Sequence, residues 1–328
     1  MSYAIETENL SKTYQSYQKP EGLWNSIRGF WDRKYVSKTA LHPTTLKIER
    51  GQIIGLVGAN GAGKTTLLKL LSGLVHPSSG DAKVLGYRPW ERKDEFLRRM
   101  SILLGQKNQL WWDIAPLDSF MLLSEIYDLD RAQAKKRVQD LAQILDCTHV
   151  LQTQLRRLSL GERMKMELIG ALIHEPEILF LDEPTIGLDI VAQTSIRRFL
   201  AEYVRQKKPT VILTSHYMDD ISKLADQLYL ISRGQIVYTG TIEGFIEKSE
   251  NLQKISFDLL DPLAESLKIE NQSLNAGQQD FQFQLKPNDV PAFIAKASQI
   301  PGFKNLKIEE ADFEDTIRAF LEKESGLR

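Results

Sequence analysis

Gly58-Ala59-Asn60-Gly61-Ala62-Gly63-Lys64-Thr65-Thr66 is the stretch that decides the fold. It follows QIIGLVG at 52–58, a near-continuous apolar run that predicts a buried central strand. It opens a helix predicted over 64–73. Glycines at this spacing let backbone N–H groups turn inward around phosphate oxygens, and the helix N-terminus adds positive potential. Gly58, Asn60, Gly61, Ala62, Gly63 and Thr66 are expected to build the cradle, and Lys64 to reach the β- and γ-phosphates. The Thr65 hydroxyl can ligate Mg²⁺. A Gly-rich turn without a ligand is the alternative, and Gly-Lys-Thr between a strand and a helix argues against it.

A second buried run, ILFLDEP at 178–184, leaves Asp182 and Glu183 at a strand's C-terminal end. Ligands of open α/β sheets bind at that edge. Asp182 is placed to hold Mg²⁺ through water, and Glu183 to polarise a water against the terminal phosphate. The competing reading, a pair that caps a turn before Pro184, sits poorly with two adjacent acids on a buried strand.

Around these runs the pattern alternates. A strand is predicted over 3–14 and another over 44–49. From about 92 to 150 the periodicity is mostly helical, with amphipathic FMLLSEIYDL and AKKRVQDLAQILD and Asp130 as the cap of the second. Strand–helix alternation resumes with a helix over 190–206, the strand TVILTSH, a helix over 217–225 and the hairpin QLYLIS–QIVYTG about Gly234. Beyond Gly240, ISFDLL and FQFQL alternate, and helices are predicted near 289–298 and over 313–323.

Leu158-Ser159-Leu160-Gly161-Glu162 precedes Asp182 by about twenty residues and begins a helical segment. Together with the phosphate loop, Asp182-Glu183, Gly187-Leu188-Asp189 and Thr214-Ser215-His216, it resembles the nucleotide-binding subunit of an ATP-binding cassette (ABC) transporter, of the type-two exporter kind. The likeness spans about residues 3–240 and keeps the motifs in order. The five-residue signature departs from the common Leu-Ser-Gly-Gly-Gln at Leu160 and Glu162, while Ser159 and Gly161 are retained.

The resemblance implies roles residue by residue. ATP and Mg²⁺ are the cofactors. Tyr14 would stack on adenine, with Tyr17 a rival. Gln106 would touch Mg²⁺ and the attacking water. Glu183 would be the general base or water-positioning group, and His216 would contact the γ-phosphate. Asp189 would lie on the loop that crosses a dimer interface. Ser159, Gly161 and Glu162 would act on the partner's ATP, because hydrolysis needs positive potential on both sides of the γ-phosphate and each chain holds one copy of each motif.

Residues 15–40 interrupt the pattern. Leu23, Trp24, Ile27, Phe30 and Trp31 recur at helical spacing beside Lys19, Arg28, Arg33, Lys34 and Lys38. This insert reads either as an amphipathic helix for a membrane surface or permease, or as a helix packed on its own domain. Trp111 and Trp112 fall where the family receives a cytoplasmic helix of the permease, and burial in the helical domain is the alternative.

The 328 residues carry 42 Lys+Arg against 43 Asp+Glu, a formal net charge of −1, which argues against holding nucleic acid by bulk charge. The single cysteine, Cys147, excludes an internal disulfide and fits a reducing compartment. The first residues lack the basic-then-apolar pattern of a signal peptide, and no apolar run is long enough to span a bilayer.

The expected architecture is α/β: a P-loop NTPase core with an antiparallel β subdomain, an inserted α-helical subdomain and a small C-terminal α+β appendage. The divisions expected are 1–91 with the insert at 15–40, a helical subdomain at 92–165 that includes the signature, the rest of the core at 166–244, and a regulatory or dimer-stabilising appendage at 245–328. The expected function is the ATP-hydrolysing subunit of an ABC exporter, peripheral on the cytoplasmic face of the cell membrane, as a homodimer or heterodimer with separate transmembrane permeases. The rival is a non-transport ABC ATPase on a soluble complex. Translation factors of that class carry two cassettes, and repair ATPases insert long coiled coils. A GTPase would need Asn-Lys-x-Asp, which is missing here.

Overall fold

A computed structural model describes residues 3–17, 35–105, 108–249, 253–269, 272–310 and 312–324. The chain divides into two compact units, Met1–Thr241 and Ile242–Arg328.

The first unit opens with β1 (Tyr3–Tyr17), β2 (Tyr35–Thr44) and β3 (Lys47–Glu49). β4 (Ile53–Val57) then leads through the phosphate loop into α1 (Lys64–Leu71), and β5 (Ser79–Val84) returns to β1. β2, β3 and β5 all pair antiparallel with β1, and Ile5 sits opposite both Ile48 and Val84. This is the antiparallel subdomain. Its strands run further than the periodicity implies. Residues 15–17 and 35–37, read from sequence as part of an insert, pair as Gln15–Ser37, Ser16–Val36 and Tyr17–Tyr35. The aromatic stripe from Leu23 to Trp31 lies outside the described residues.

A short helix α2 (Asp94–Leu97) precedes β6 (Met100–Leu104). The helical layer follows as α3 (Pro116–Ile126), α4 (Arg131–Ile144) and α5 (Leu160–Leu172). The core resumes with β7 (Ile178–Asp182), α6 (Ile190–Lys207), β8 (Thr210–Thr214), α7 (Met218–Leu224), β9 (Gln227–Ser232) and β10 (Gln235–Gly240). The second sheet has the order β10-β9-β4-β8-β7-β6. Its pairs are parallel except β9–β10, a hairpin. β4, β7 and β8 are buried at every position, which is why they read as unbroken apolar runs. β6 sits inside the span expected to be helical. Five residues, MSILL, are too few for periodicity to separate strand from helix.

Helix starts are chemically marked. Asp130 accepts from Gln133 N at 2.8 Å at the start of α4. Ser159 and Glu162 form a reciprocal capping box at the start of α5. The main core packs Ile5, Leu10, Ile48, Leu67, Leu71, Phe96 and Phe180 together, joining the antiparallel subdomain, α1 and the parallel sheet.

The second unit contains α8 (Ile242–Lys248), β11 (Gln253–Leu259), the hairpin β12 (Leu267–Ile269) and β13 (Gln272–Leu274), β14 (Asp280–Leu285), α9 (Val290–Ala297), β15 (Phe303–Glu310) and α10 (Phe313–Glu324). Its main sheet is antiparallel in the order β14-β11-β15. Phe257 anchors a separate core, with ring centroids 4.8 Å from Phe303 and 5.2 Å from Phe281.

Candidate nucleotide site

The phosphate loop hangs from the C-terminal end of β4, with β8 and β9 on either side of that strand. Gly63 closes the loop as the N-cap of α1 at φ 114°, in the region that favours glycine. A Cβ there would also lie 2.6 Å from Ala40 O, so the loop and β2 approach too closely for a side chain.

Lys64 folds its ammonium back over the loop, donating to Gly58 O at 2.7 Å and Ala59 O at 3.2 Å. Burial pushes its pKa below the usual range, and the carboxylates of Glu183 and Asp182 oppose that push. A triphosphate would add negative charge against this cation. Tyr14, Lys38, Ala40, residues 60–66 and Glu183 line one cleft. Tyr14 is 40% exposed, and Lys12 Nζ lies 5.1 Å from its ring centroid. It therefore presents a ring at the cleft wall, where a base can stack.

Asp182 ends β7 and both its oxygens are engaged. Thr65 Oγ1 donates to Oδ2 and Thr214 Oγ1 to Oδ1, each at 2.8 Å. A hydroxyl and a carboxylate at hydrogen-bond distance form a hard-oxygen pair that suits Mg²⁺, which keeps waters and takes its remaining ligands from phosphates. Among the described residues no cluster of three or more His, Cys, Asp or Glu could hold a metal ion.

Glu183 follows in the left-handed region, φ 56°, uncommon for a residue with a Cβ. Its N–H faces Thr214, 3.0 Å from Oγ1 and 3.1 Å from the carbonyl oxygen. That turn swings its carboxylate to 2.9 Å from His216 Nε2. Glu183 and His216, remote in sequence, thus form a contact pair at the cleft.

Asp220 belongs to none of the sequence motifs. It is 1% exposed and accepts from Ser215 Oγ at 2.6 Å, Thr185 Oγ1 at 2.5 Å and Arg197 Nε at 2.8 Å. Thr185 lies two residues past Glu183, and Ser215 lies one before His216. Asp220 therefore ties down both arms of the Glu183–His216 pair. The acid four residues after His216, facing an arginine on α6, is a signal visible only once the two helices are placed together.

Ser159, Gly161, Glu162 and Asp189 do not line this cleft. Ser159 Oγ donates to Glu162 Oε2 at 2.7 Å, and the Ser159 N–H donates to the same oxygen at 2.9 Å. These bonds hold the Glu162 carboxyl below the usual carboxylate range, and His149 lies 3.5 Å from its other oxygen. Gly161 lies in the first turn of α5, and an added Cβ would meet Ala192 Cβ of α6 at 3.1 Å. None of 158–162 lines the phosphate-loop cleft. Asp189 caps α6, accepting from Ala192 N at 2.9 Å, and Ile190 and Val191 beside it are about four-fifths exposed, at 80% and 79%. Gln106 lies outside the described residues. Trp111 and Trp112 are both exposed, as are Leu122 and Ile126 on α3.

The glycine loop that runs from a buried strand into a helix start, with Asp182 bonded to Thr65 beside it, has the geometry of a nucleoside-triphosphate-binding P-loop. Residues 41–186 match the family described as ABC transporter. The chain is 33% identical to the ABC transporter ATP-binding protein NatA of Bacillus subtilis (strain 168), over 71% of this chain and 95% of that protein. It is 32% identical to the daunorubicin resistance ATP-binding protein DrrA3 of Streptomyces coeruleorubidus, over 65% and 66% of the two chains. A solved structure of the ATP-binding subunit of an ABC transporter shares the fold, with TM-score 0.63 and 22% identity, over 75% of this chain and 92% of the other. The chain belongs to the ATP-binding family of ABC transporters, and it is an ATPase subunit.

Proposed function

We propose that this chain powers an ABC exporter from the cytoplasmic face of the membrane, as one of two ATPase subunits bound to separate permeases. The single observation that carries this reading is the split of its ATP machinery. Lys64, Thr65 and Glu183 line one cleft, with Asp182 bonded to Thr65 and His216 against Glu183, and these are the residues proposed for one half of an ATP site. The Ser159-capped start of α5, proposed for the other half, does not line that cleft. Two such subunits in opposite orientation complete two sites.

Within each site Lys64 and the loop amides hold the β- and γ-phosphates, and Tyr14 stacks on the base. Thr65 and Asp182 would hold Mg²⁺, with Gln106 as a further ligand, and the bound ion would offset phosphate charge. Glu183, kept in place by His216, orients a water toward the γ-phosphorus. The O–P bond to that water forms as the bond to the ADP oxygen breaks, and the water's proton passes to the Glu183 carboxylate. Ser159, Gly161 and the helix N-terminus behind them supply donors from the other side, and Asp189 lies on the loop between the two sites.

No helix among the described residues is long and apolar enough to cross a membrane; the proposed partners are membrane permeases. Trp111, Trp112, Leu122 and Ile126 offer an apolar surface for a permease helix. Relatives named for drug resistance favour export. The second unit, 242–328, has its own core and none of the expected ATP-site residues, which suits regulation or dimer support.

Glu183→Gln tests the reading. The variant should bind ATP, lose about 10²–10⁴-fold in turnover and accumulate as an ATP-bound dimer in size-exclusion chromatography. Wild-type turnover would remove Glu183 from its role.

A further inference from the structure

The signature helix α5 does more than present Ser159. Two turns along it, Glu167 is 4% exposed and faces the segment 108–112. Its Oε1 and Oε2 accept from Gln109 N at 3.1 and 3.0 Å, and Oε1 also accepts from Leu110 N at 3.3 Å. One turn further, Gly170 opens a notch. Any Cβ there would meet Leu110 Cδ2 at 3.0 Å, and Leu110 is itself only 5% exposed. One turn earlier, the Arg163 guanidinium lies 5.3 Å from the Trp112 ring centroid. Three successive turns of α5 therefore grip one short segment of chain. At its other end Gln109 Nε2 donates to Ile102 O on β6, next to β7 in the sheet.

A buried carboxylate is costly unless its oxygens are satisfied. Glutamine would fill the same space without charge. Burial pushes the Glu167 carboxyl up, and the Gln109 and Leu110 N–H groups and Arg163 oppose that push; a charged acceptor makes stronger bonds to N–H groups than a neutral one, so its use here favours rigidity. We propose that Glu167 is a positioning residue that clamps the 109–112 segment to α5, so that displacement at Trp111 and Trp112 reaches Ser159 as movement of one rigid body. This rests on the assignment of Ser159 to the partner's ATP. It adds the route by which the outer face of the subunit controls that contact. Loss of the clamp leaves the phosphate loop intact and lets the start of α5 wander. ATP then binds normally and reacts slowly, because the second half of each site is out of position.

The test compares full-length wild type with Glu167→Ala and Glu167→Gln, using MgATP as the probe. In Glu167→Ala, hydrogen exchange at the amides of Gln109 and Leu110 should quicken by about tenfold or more while exchange over 58–66 is unchanged. Its kcat should fall by about tenfold, with KM for ATP within about twofold of wild type. Glu167→Gln retains one acceptor oxygen and should fall between the two. A residue that serves only the fold would lower the melting temperature and leave kcat per folded molecule as it was, which overturns the proposal. Unchanged exchange at Gln109 and Leu110 also overturns it. If Glu167→Ala does not fold, the isosteric Gln variant decides alone, and wild-type kcat in it sinks the clamp. Glu183→Gln run in parallel separates the two ideas. Turnover in that variant condemns the assigned chemistry, whereas its absence beside a fully active Glu167→Ala condemns only the clamp.

Discussion

His174 shows how one side chain ties stability to pH. It follows α5, is 8% exposed, and stacks on Tyr127 with centroids 3.8 Å apart. Its Nε2 lies 3.0 Å from Met100 O, a contact that needs the proton on Nε2, while Nδ1 is buried without a partner. A second proton on Nδ1 would find no acceptor there. Burial accordingly lowers its pKa from 6.5 to about 4. Below pH 6.5 the unfolded chain takes up a proton that the folded chain refuses, so stability falls as pH drops through this window. The loss from this one group is about 2 kcal/mol by pH 5. Denaturant titrations between pH 7 and 5 should show that decline. His174→Gln keeps a donor for Met100 O and has no titration, so its slope over the same range should be flatter. An equal slope would assign the pH dependence to other groups.

At the level of elements, the geometry of the candidate site depends on where loop ends are pinned. Glu183 leaves β7 in a turn, His216 leaves β8, and Asp220 of α7 holds Thr185, Ser215 and Arg197 of α6 at once. Asp220→Ala would strand an arginine whose side chain is 11% exposed, leaving it, among the described residues, the Asp219 contact at 3.2 Å, and two buried hydroxyls would lose their acceptor. The expected cost is about 2–4 kcal/mol in chemical denaturation, with kcat reduced more than KM in the fraction that remains folded. Asp220→Asn keeps one acceptor and should be milder in both respects. Such a hub is hard to read in a sequence, since Asp219-Asp220 looks like ordinary acid in the first turn of a helix. Where a motif has fixed spacing and a single chemical use, as in Gly58–Thr66 or Asp182-Glu183, the linear chain suffices. Fully buried β4, β7 and β8 were legible for the same reason: a strand buried on both faces is written as an apolar run. The ends of β1 and β2 are not, because Gln15, Ser16 and Ser37 are polar and gain strand character only across the ladder, Gln15 opposite Ser37 and Ser16 opposite Val36. The resemblance gives Glu162 a place against a partner's nucleotide, and its two bonds to Ser159 add a cap at the start of α5.

At the scale of the whole molecule, the chain has one phosphate loop and one signature, and their separation makes a statement about assembly that mixing can check. In the trans arrangement, Lys64→Ala disables the site built on its own loop, and Ser159→Arg disables the site built on its partner's loop. Homodimers of either variant then have two damaged sites and should be nearly inactive. In a mixed dimer, one site combines the loop carrying Lys64→Ala with the helix carrying Ser159→Arg and is doubly damaged, while the other combines an intact loop with an intact helix. Random exchange of equal amounts gives about half mixed dimers, and each has one sound site of two, so activity should rise to about a quarter of wild type if the sites turn over independently. If each subunit instead completed its own site, every subunit in the mixture would carry a lesion and mixing would restore nothing. Cooperation between sites would hold the recovered rate below a quarter without abolishing the gain. Steady-state ATPase assays on each variant alone and on the pre-mixed pair check this: recovered activity establishes the two-subunit site, and a mixture no more active than its components excludes two-subunit sites that turn over independently.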